Sequence, residues 1–165
     1  MKRIIVVILS LLLIACGDDE DNQASKLQQN IAILCNQESG FLTIFDLNSE
    51  VKIDSVDLHI ELQHYKDAGH TVDDFYINSP RPHFVMTSHD GRYVYVVMTS
   101  NNGAVVKLDA NFHVINFLQI TETNFPAHAQ ITSDDQTIFI SAWTTNGGGS
   151  SPDDKNMILR LNSDF

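Results

Sequence analysis

His83-Phe-Val-Met-Thr-Ser-His-Asp-Gly-Arg-Tyr-Val-Tyr-Val96 returns 45 residues later as His128-Ala-Gln-Ile-Thr-Ser-Asp-Asp-Gln-Thr-Ile-Phe-Ile-Ser141. The two segments align without a gap, and a proline stands just upstream of each, Pro82 and Pro126. Each carries Thr-Ser and then an acidic turn, His89-Asp90-Gly91 in the first and Asp134-Asp135-Gln136 in the second. Aspartate supplies a local hydrogen bond, and glycine supplies the freedom in φ that a tight hairpin needs. An apolar run rich in β-branched and aromatic residues follows each turn, which is the composition of a strand.

Further strands extend each copy. Ala104-Val-Val-Lys-Leu108 ends in Asp109-Ala110-Asn111, and Met157-Ile-Leu-Arg-Leu161 ends in Asn162-Ser163-Asp164. An earlier copy reads Leu42-Thr-Ile-Phe45 and ends in Asp46-Leu47-Asn48. Asp and Asn suit these places because their side chains close a turn on their own backbone. Phe112 to Leu118 supplies a fourth strand, and residues 54 to 60 take that part in the earlier copy. The unit is therefore four antiparallel strands in about 45 residues, the period and strand count of a β-propeller blade. Tyr93 to Met98 is apolar almost without interruption. Such a run means burial on both faces, as in the middle strands of stacked blades, whereas a sandwich strand alternates. The sequence predicts an all-β chain of four-stranded antiparallel blades at about residues 31–60, 82–118 and 126–165, some two and a half to three in all. Closed propellers use typically about four to eight blades. The expectation is therefore the N-terminal part of a longer propeller, with several copies assembling into one ring as the alternative.

Gly91 to Asp109, Gly-Arg-Tyr-Val-Tyr-Val-Val-Met-Thr-Ser-Asn-Asn-Gly-Ala-Val-Val-Lys-Leu-Asp, resembles the YVTN-type β-propeller repeat. Cys35-Asn36, Gly40 and Phe45-Asp46 are a weaker match. Propellers of this type are similar to those of nitrous oxide reductase and of lactonase-type enzymes. The resemblance implies the fold and leaves the activity open, because propellers host many activities.

The start of the chain carries an address. Lys2 and Arg3 precede the apolar run Ile4 to Ile14, which is too short to cross a bilayer as a helix and fits a cleaved secretory leader. Leu13-Ile14-Ala15-Cys16 resembles the lipobox of bacterial lipoproteins. That resemblance implies a signal peptide over residues 1–15, cleavage before Cys16, lipidation of Cys16 and a membrane anchor of three acyl chains. Gly17-Asp-Asp-Glu-Asp21 opens a polar stretch, so residues 16–30 read as a solvated acidic tether. Gly17 in place of an aspartate implies release to the outer membrane. The acidic cluster resembles a surface-export signal of Bacteroidetes lipoproteins, so both the periplasmic face and the cell surface stay open.

The formal charge of the 165-residue chain is −11, and losing Lys2 and Arg3 with the leader takes it to −13. So acidic a protein is repelled by nucleic acid and by anionic headgroups. With Cys16 lipidated only Cys35 remains, which leaves no internal disulfide. Cys35 sits in Ile31-Ala-Ile-Leu-Cys35 and reads as a small buried hydrophobe.

Two segments depart from the repeat. Residues 61–81 have no counterpart and read as a solvated acidic loop carrying His64 and His70, placed on a rim where binding loops sit. Thr145 to Asn156 is Gly- and Ser-rich and replaces a short hairpin, and its adjacent Asp153 and Asp154 are weak evidence for calcium. His83 and His128 stand at the same place in the gapless alignment, at the start of the innermost strand, which puts them at the mouth of the central channel. Nitrous oxide reductase binds copper there with histidines from several blades, so the resemblance raises His83 and His128 as metal ligands for copper, with at least three ligands wanted. The bland alternative is polar lining of the channel. No Gly-x-Ser-x-Gly, Walker loop, His-Glu-x-x-His or Cys-x-x-Cys occurs. The function expected is a lipid-anchored binding module for a small molecule, glycan or protein, with no cofactor required. The alternative is a metal-dependent redox enzyme or a lactonase-like hydrolase working in the channel.

Overall fold

The computed structural model describes residues 30–100, 102–120, 125–143 and 157–165. The leader, Cys16, the tether up to residue 29 and the 145–156 segment lie outside the described residues. Blade 1 is a three-stranded sheet of β1 (Ile31–Asn36), β2 (Phe41–Asp46) and β3 (Val51–Asp57). Two helices follow, α1 (Leu58–Asp67) and α2 (Asp74–Asn78). Blade 2 has four strands in sequence order, β4 (Pro82–Thr87), β5 (Tyr93–Met98), β6 (Ala104–Asp109) and β7 (Val114–Gln119). Blade 3 comprises β8 (Phe125–Ile131), β9 (Thr137–Trp143) and β10 (Met157–Asn162). Every strand pairing is antiparallel, and the whole is a partial β-propeller. Among the described residues no helix is long and apolar enough to cross a membrane.

Two cores form between the three sheets. Val94, Val96 and Met98 of β5, with Ala104, Val106 and Leu108 of β6, meet Leu42, Ile44 and Val56 of blade 1. The alternate residues Tyr95, Val97 and Val105 meet Ala129, Ile131, Ile138 and Ile140 of blade 3. Side chains alternate across a strand, so one sheet feeds both cores. This is why β5 and β6 read as continuous apolar runs. Each fully buried aliphatic side chain contributes about 1.5–3 kcal/mol.

The hairpin turns correct the repeat alignment by one residue. Ser88 Oγ donates to Asp90 Oδ1 (2.7 Å) and accepts from Tyr93 N (3.0 Å). Thr132 Oγ1 donates to Asp134 Oδ1 (2.5 Å) and accepts from Thr137 N (3.0 Å). Gly91 (φ 69°) and Asp135 (φ 56°) occupy the left-handed position of the two turns. Ser88 therefore corresponds to Thr132, and the offset is 44 rather than 45. Either hydroxyl residue can close this turn, so the Thr-Ser identities pulled the gapless alignment out of step. A slip of one residue exchanges the faces of a strand.

The insertion is a second correction. Residues 54–60 are not all strand, because β3 ends at Asp57. Asp57 Oδ1 accepts from His59 N (2.9 Å) and caps α1, and Asp73 Oδ1 accepts from Phe75 N (2.8 Å) and caps α2. Residues 61–81 are thus not a solvated loop. Leu58, Leu62, Val72, Tyr76 and Ile77 are buried in the core between blades 1 and 2. Tyr65 OH reaches Asn116 Oδ1 of β7 (3.4 Å), and Tyr76 OH donates to Gly103 O (3.1 Å).

The β4–β5 turn carries a titration signature. Ser88 Oγ and Arg92 N donate to the Asp90 carboxylate and hold it down at about 2. A depressed acid stabilises the fold above its unfolded value near 3.8, and that contribution disappears as pH falls through about 2. Asp90→Asn keeps an acceptor for Ser88 and removes the titration. The fall in melting temperature between about pH 4 and pH 2 should be shallower in this variant than in the parent, measured by circular dichroism at several pH values.

Candidate functional site

The innermost strands β4 and β8 run next to each other, and each begins with a kink. Pairing skips one residue between Pro82 and Phe84 in β4 and between Pro126 and His128 in β8. A proline cannot donate to the ladder, and a bulge of this kind re-aims a side chain. The residue left out is His83 in blade 2 and Ala127 in blade 3. The histidines therefore do not occupy equivalent positions. His83 corresponds to Ala127, and His128 corresponds to Phe84, which is the consequence of the one-residue correction. Their rings still come together, with centroids 6.3 Å apart and planes at 57°. The edge of Phe84 packs against His128 at 5.3 Å.

A cleft of about 220 Å³ opens beside His83. Its walls come from all three blades: Gln37 from the β1–β2 turn, Arg81, His83 and Thr99 from blade 2, and Phe125, Pro126 and Ala127 from blade 3. Gln37 ties the first two blades together. Its Oε1 accepts from His83 Nδ1 (2.9 Å), and its Nε2 donates to Thr99 Oγ1 (3.3 Å). Arg81 Nη2 donates to Glu38 Oε1 at 2.5 Å. Arg81 Nε is buried and has no hydrogen-bond partner among the described residues. An unsatisfied buried donor is uncommon and costs about 1–3 kcal/mol. None of Gln37, Arg81 or Thr99 stood out in the sequence. The nearest signal was Pro80-Arg81-Pro82, which fixes the backbone on both sides of the arginine.

The glycines that shape this end of the propeller are also close-packed. Gly40 in the β1–β2 turn has φ 72°, and a Cβ there would come within 2.8 Å of Pro80 Cγ and 2.6 Å of His59 Nε2. Gly103 in the β5–β6 turn has φ 90°, and its missing Cβ would collide with the Pro126 ring of blade 3. Both positions combine a left-handed backbone with a neighbour that fills the side-chain space.

A second groove of about 390 Å³ lies where the insertion meets β7. Glu61, His64, Tyr65, His70 and His113 border it, with Tyr65 stacked on His70 at 4.0 Å and His113 Nδ1 3.2 Å from Glu61 Oε2. The insertion thus builds a surface, though His64 and His70 do not converge on one point with the nearby aspartates. Cys35 packs against the first core, and burial pushes its thiol up to about 11, so it stays protonated at neutral pH.

Two imidazoles alone make an incomplete copper set. His83 already donates through Nδ1 to Gln37. Among the described residues no three His, Cys, Asp or Glu side chains gather as a metal group. Asp153 and Asp154 lie outside the described residues.

The class defined by this geometry is a partial β-propeller with a small three-blade cleft at the start of its innermost strands. No protein-family model matches the sequence, and no curated protein does. Among solved structures the chain is similar to hydrazine synthase of Kuenenia stuttgartiensis, with a TM-score of 0.58 and 16% identity over 81% of this chain. It is also aligned with the Cps50 (Swd1) β-propeller domain of Myceliophteria thermophila over 80% of its length, with a TM-score of 0.34 and 11% identity. The chain spans 36% of the first and 54% of the second. At such identities the first likeness is one of fold alone.

Gly103→Ala tests the packing around the cleft. The variant should lose about 1–3 kcal/mol from backbone strain, with more added by the collision with Pro126. Urea denaturation followed by tryptophan and far-UV signals measures the loss.

Proposed function

We propose that this protein is a lipid-anchored envelope protein whose propeller is a binding module, with the three-blade cleft as its ligand site. The observation that carries this reading is the cleft walled by all three blades, with Arg81 and His83 on its lining and Arg81 Nε unpaired among the described residues. A ligand with an acceptor group, a carboxylate or a sugar hydroxyl, would pair with the Arg81 guanidinium at the cleft. The cleft is smaller than the roughly 300–1,000 Å³ of drug-sized sites, so it suits a small molecule or one group of a glycan or protein. The groove at the insertion is a further surface for the larger of these partners. The net charge of −11 disfavours nucleic acid.

The anchor belongs to the same proposal. Cys16 carries the lipid, and the acidic tether holds the propeller away from the outer membrane. Intact-mass spectrometry of the protein from a bacterial envelope should show an N-terminal Cys16 with acyl chains. Cys16→Ser should move the protein from the membrane fraction to the soluble one, and no change in partition would reject the anchor.

Binding is tested by titration calorimetry with a panel of small carboxylates and monosaccharides. At least one should bind without being consumed, and Arg81→Ala and His83→Ala should each weaken it at least tenfold with unchanged circular dichroism. A panel with no binder rejects the cleft. Turnover of a lactone or a redox substrate, or stoichiometric copper lost in His83→Ala and His128→Ala, would replace the module with an enzyme.

A further inference from the structure

The ion pair at the cleft joins a fixed cation to a loose acid. Arg81 is held at its base, because Pro80 and Pro82 flank it and its carbonyl accepts from Thr99 N (3.0 Å). Glu38 Oε1 accepts from Arg81 Nη2 (2.5 Å), yet the Glu38 side chain is 82% exposed. The β1–β2 turn that carries Glu38 is secured by other contacts. Ser39 N and Gly40 N both donate to Asn36 O (3.2 and 3.0 Å). Gln37 is fastened to His83 and Thr99, and Gly40 is packed against Pro80 and His59. An exposed ion pair contributes little to a fold. The Glu38 carboxylate can therefore leave Arg81 while the turn stays in place.

The lining of the cleft divides in two. Gln37, Arg81, His83 and Thr99 are its polar side, and Phe125, Pro126 and Ala127 of blade 3 are a side of hydrocarbon. Pro126 and Ala127 are buried, and the Pro126 ring lies against Gly103, so this wall is fixed. Among the described residues Arg81 is the one Lys or Arg of the lining, and no Asp or Glu lines it. In a chain of net charge −11 that is a local reversal of sign. Charges farther than about 8 Å are largely screened at physiological salt, so the guanidinium decides what approaches it. A sugar carries hydroxyls on every side and would press some of them unpaired against the blade 3 wall. A small acid with a hydrocarbon body matches both sides.

We propose that the cleft takes a small monocarboxylate with a compact apolar body, and that Glu38 is a built-in competitor for it. The inference rests on the reading of the cleft as the ligand site and narrows the class of ligand. The ligand's carboxylate takes the place of the Glu38 carboxylate on Arg81, and its body lies on Phe125 and Pro126. One carboxylate replaces another on the same guanidinium, so the charge-assisted hydrogen bond is exchanged rather than added. The gain comes from covering the apolar wall. Glu38, once displaced, stays tethered nearby on its turn. Its charge therefore opposes the ligand twice, as a rival for Arg81 and as a like charge beside the bound acid.

Fluorine NMR of 4-fluorobenzoate titrated with the whole protein reads the affinity, and 4-fluorobenzamide, the same shape without the charge, is the control. The benzoate should bind, and the benzamide should bind at least tenfold more weakly. Glu38→Gln should tighten the benzoate at least threefold and leave the benzamide within twofold of the parent, and Glu38→Ala should do the same. Arg81→Gln should weaken the benzoate at least tenfold, with the β-sheet spectrum of every variant unchanged. Benzoate binding that is equal or weaker in both Glu38 variants overturns the competitor. A benzamide or a monosaccharide that binds as tightly as the benzoate overturns the carboxylate class and leaves the cleft as a ligand site. No binding of any probe, or benzoate binding that Arg81→Gln does not weaken, overturns the inference and the reading of the cleft together.

Discussion

The structure depends on burying both faces of one sheet. The middle of blade 2 has no polar side to turn to water, because β5 and β6 place apolar residues on both faces, with Lys107 the one charged side chain among them before Asp109. Its two faces must each be covered by another sheet, and the neighbours do so with Leu42 and Ile44 on one side and Ile138 and Ile140 on the other. Everything else follows from that demand. The strand hairpins keep each sheet narrow, the turns hold the sheets in order, and the inner strands meet at one end of the stack.

Non-directional burial would let the sheets slide, so a few directional contacts set how they sit. Gly40 lies under Pro80 and Gly103 lies under Pro126, a repeated close approach between one blade's hairpin and the start of the next blade's inner strand. At the opposite turns, the Asp135 carboxylate accepts from His89 N (2.9 Å), His89 Nδ1 (2.7 Å) and Asp90 N (3.3 Å). Partial burial pushes Asp135 upward, yet these donors from blade 2 hold it below its ordinary value. Asp135 is also the residue in the left-handed position of its turn, so one side chain serves the hairpin and the joint together. The cleft around Arg81 lies near the proline contacts rather than the acidic turns, which places it at the end of the stack where three chains of contact converge.

The blades were legible because their signals are local. Hairpin acids, Asx turns after the third strands and the two-sided apolar run of Tyr93 to Met98 all report on residues close in sequence. The register between blades was not legible to the residue, since Ser88 and Thr132 do the same work and only their hydrogen bonds reveal the match. The helix α1 was readable in principle from Asp57, which caps it, and from Leu58 and Leu62, which sit one turn apart. The many charges and histidines that follow hid that stripe. The cleft was illegible because Gln37, Arg81 and Phe125 are distant in sequence and meet only through the stacking of three sheets. A lone arginine between prolines carries no periodic pattern. Nor does any pattern reveal that one of its nitrogens is left without a partner among the described residues.

Lys107 has a bearing on how a chain of near-identical units avoids assembling in the wrong sequence. Its counterpart in blade 1 is Ile44, which is 2% exposed and pairs with Ile33. At this position one seam therefore presents hydrocarbon, and the next an ammonium that donates to a carbonyl. Exchanging two modules, within a molecule or between two folding chains, would strand that ammonium against oil. The charge at this one position makes the two seams chemically unlike.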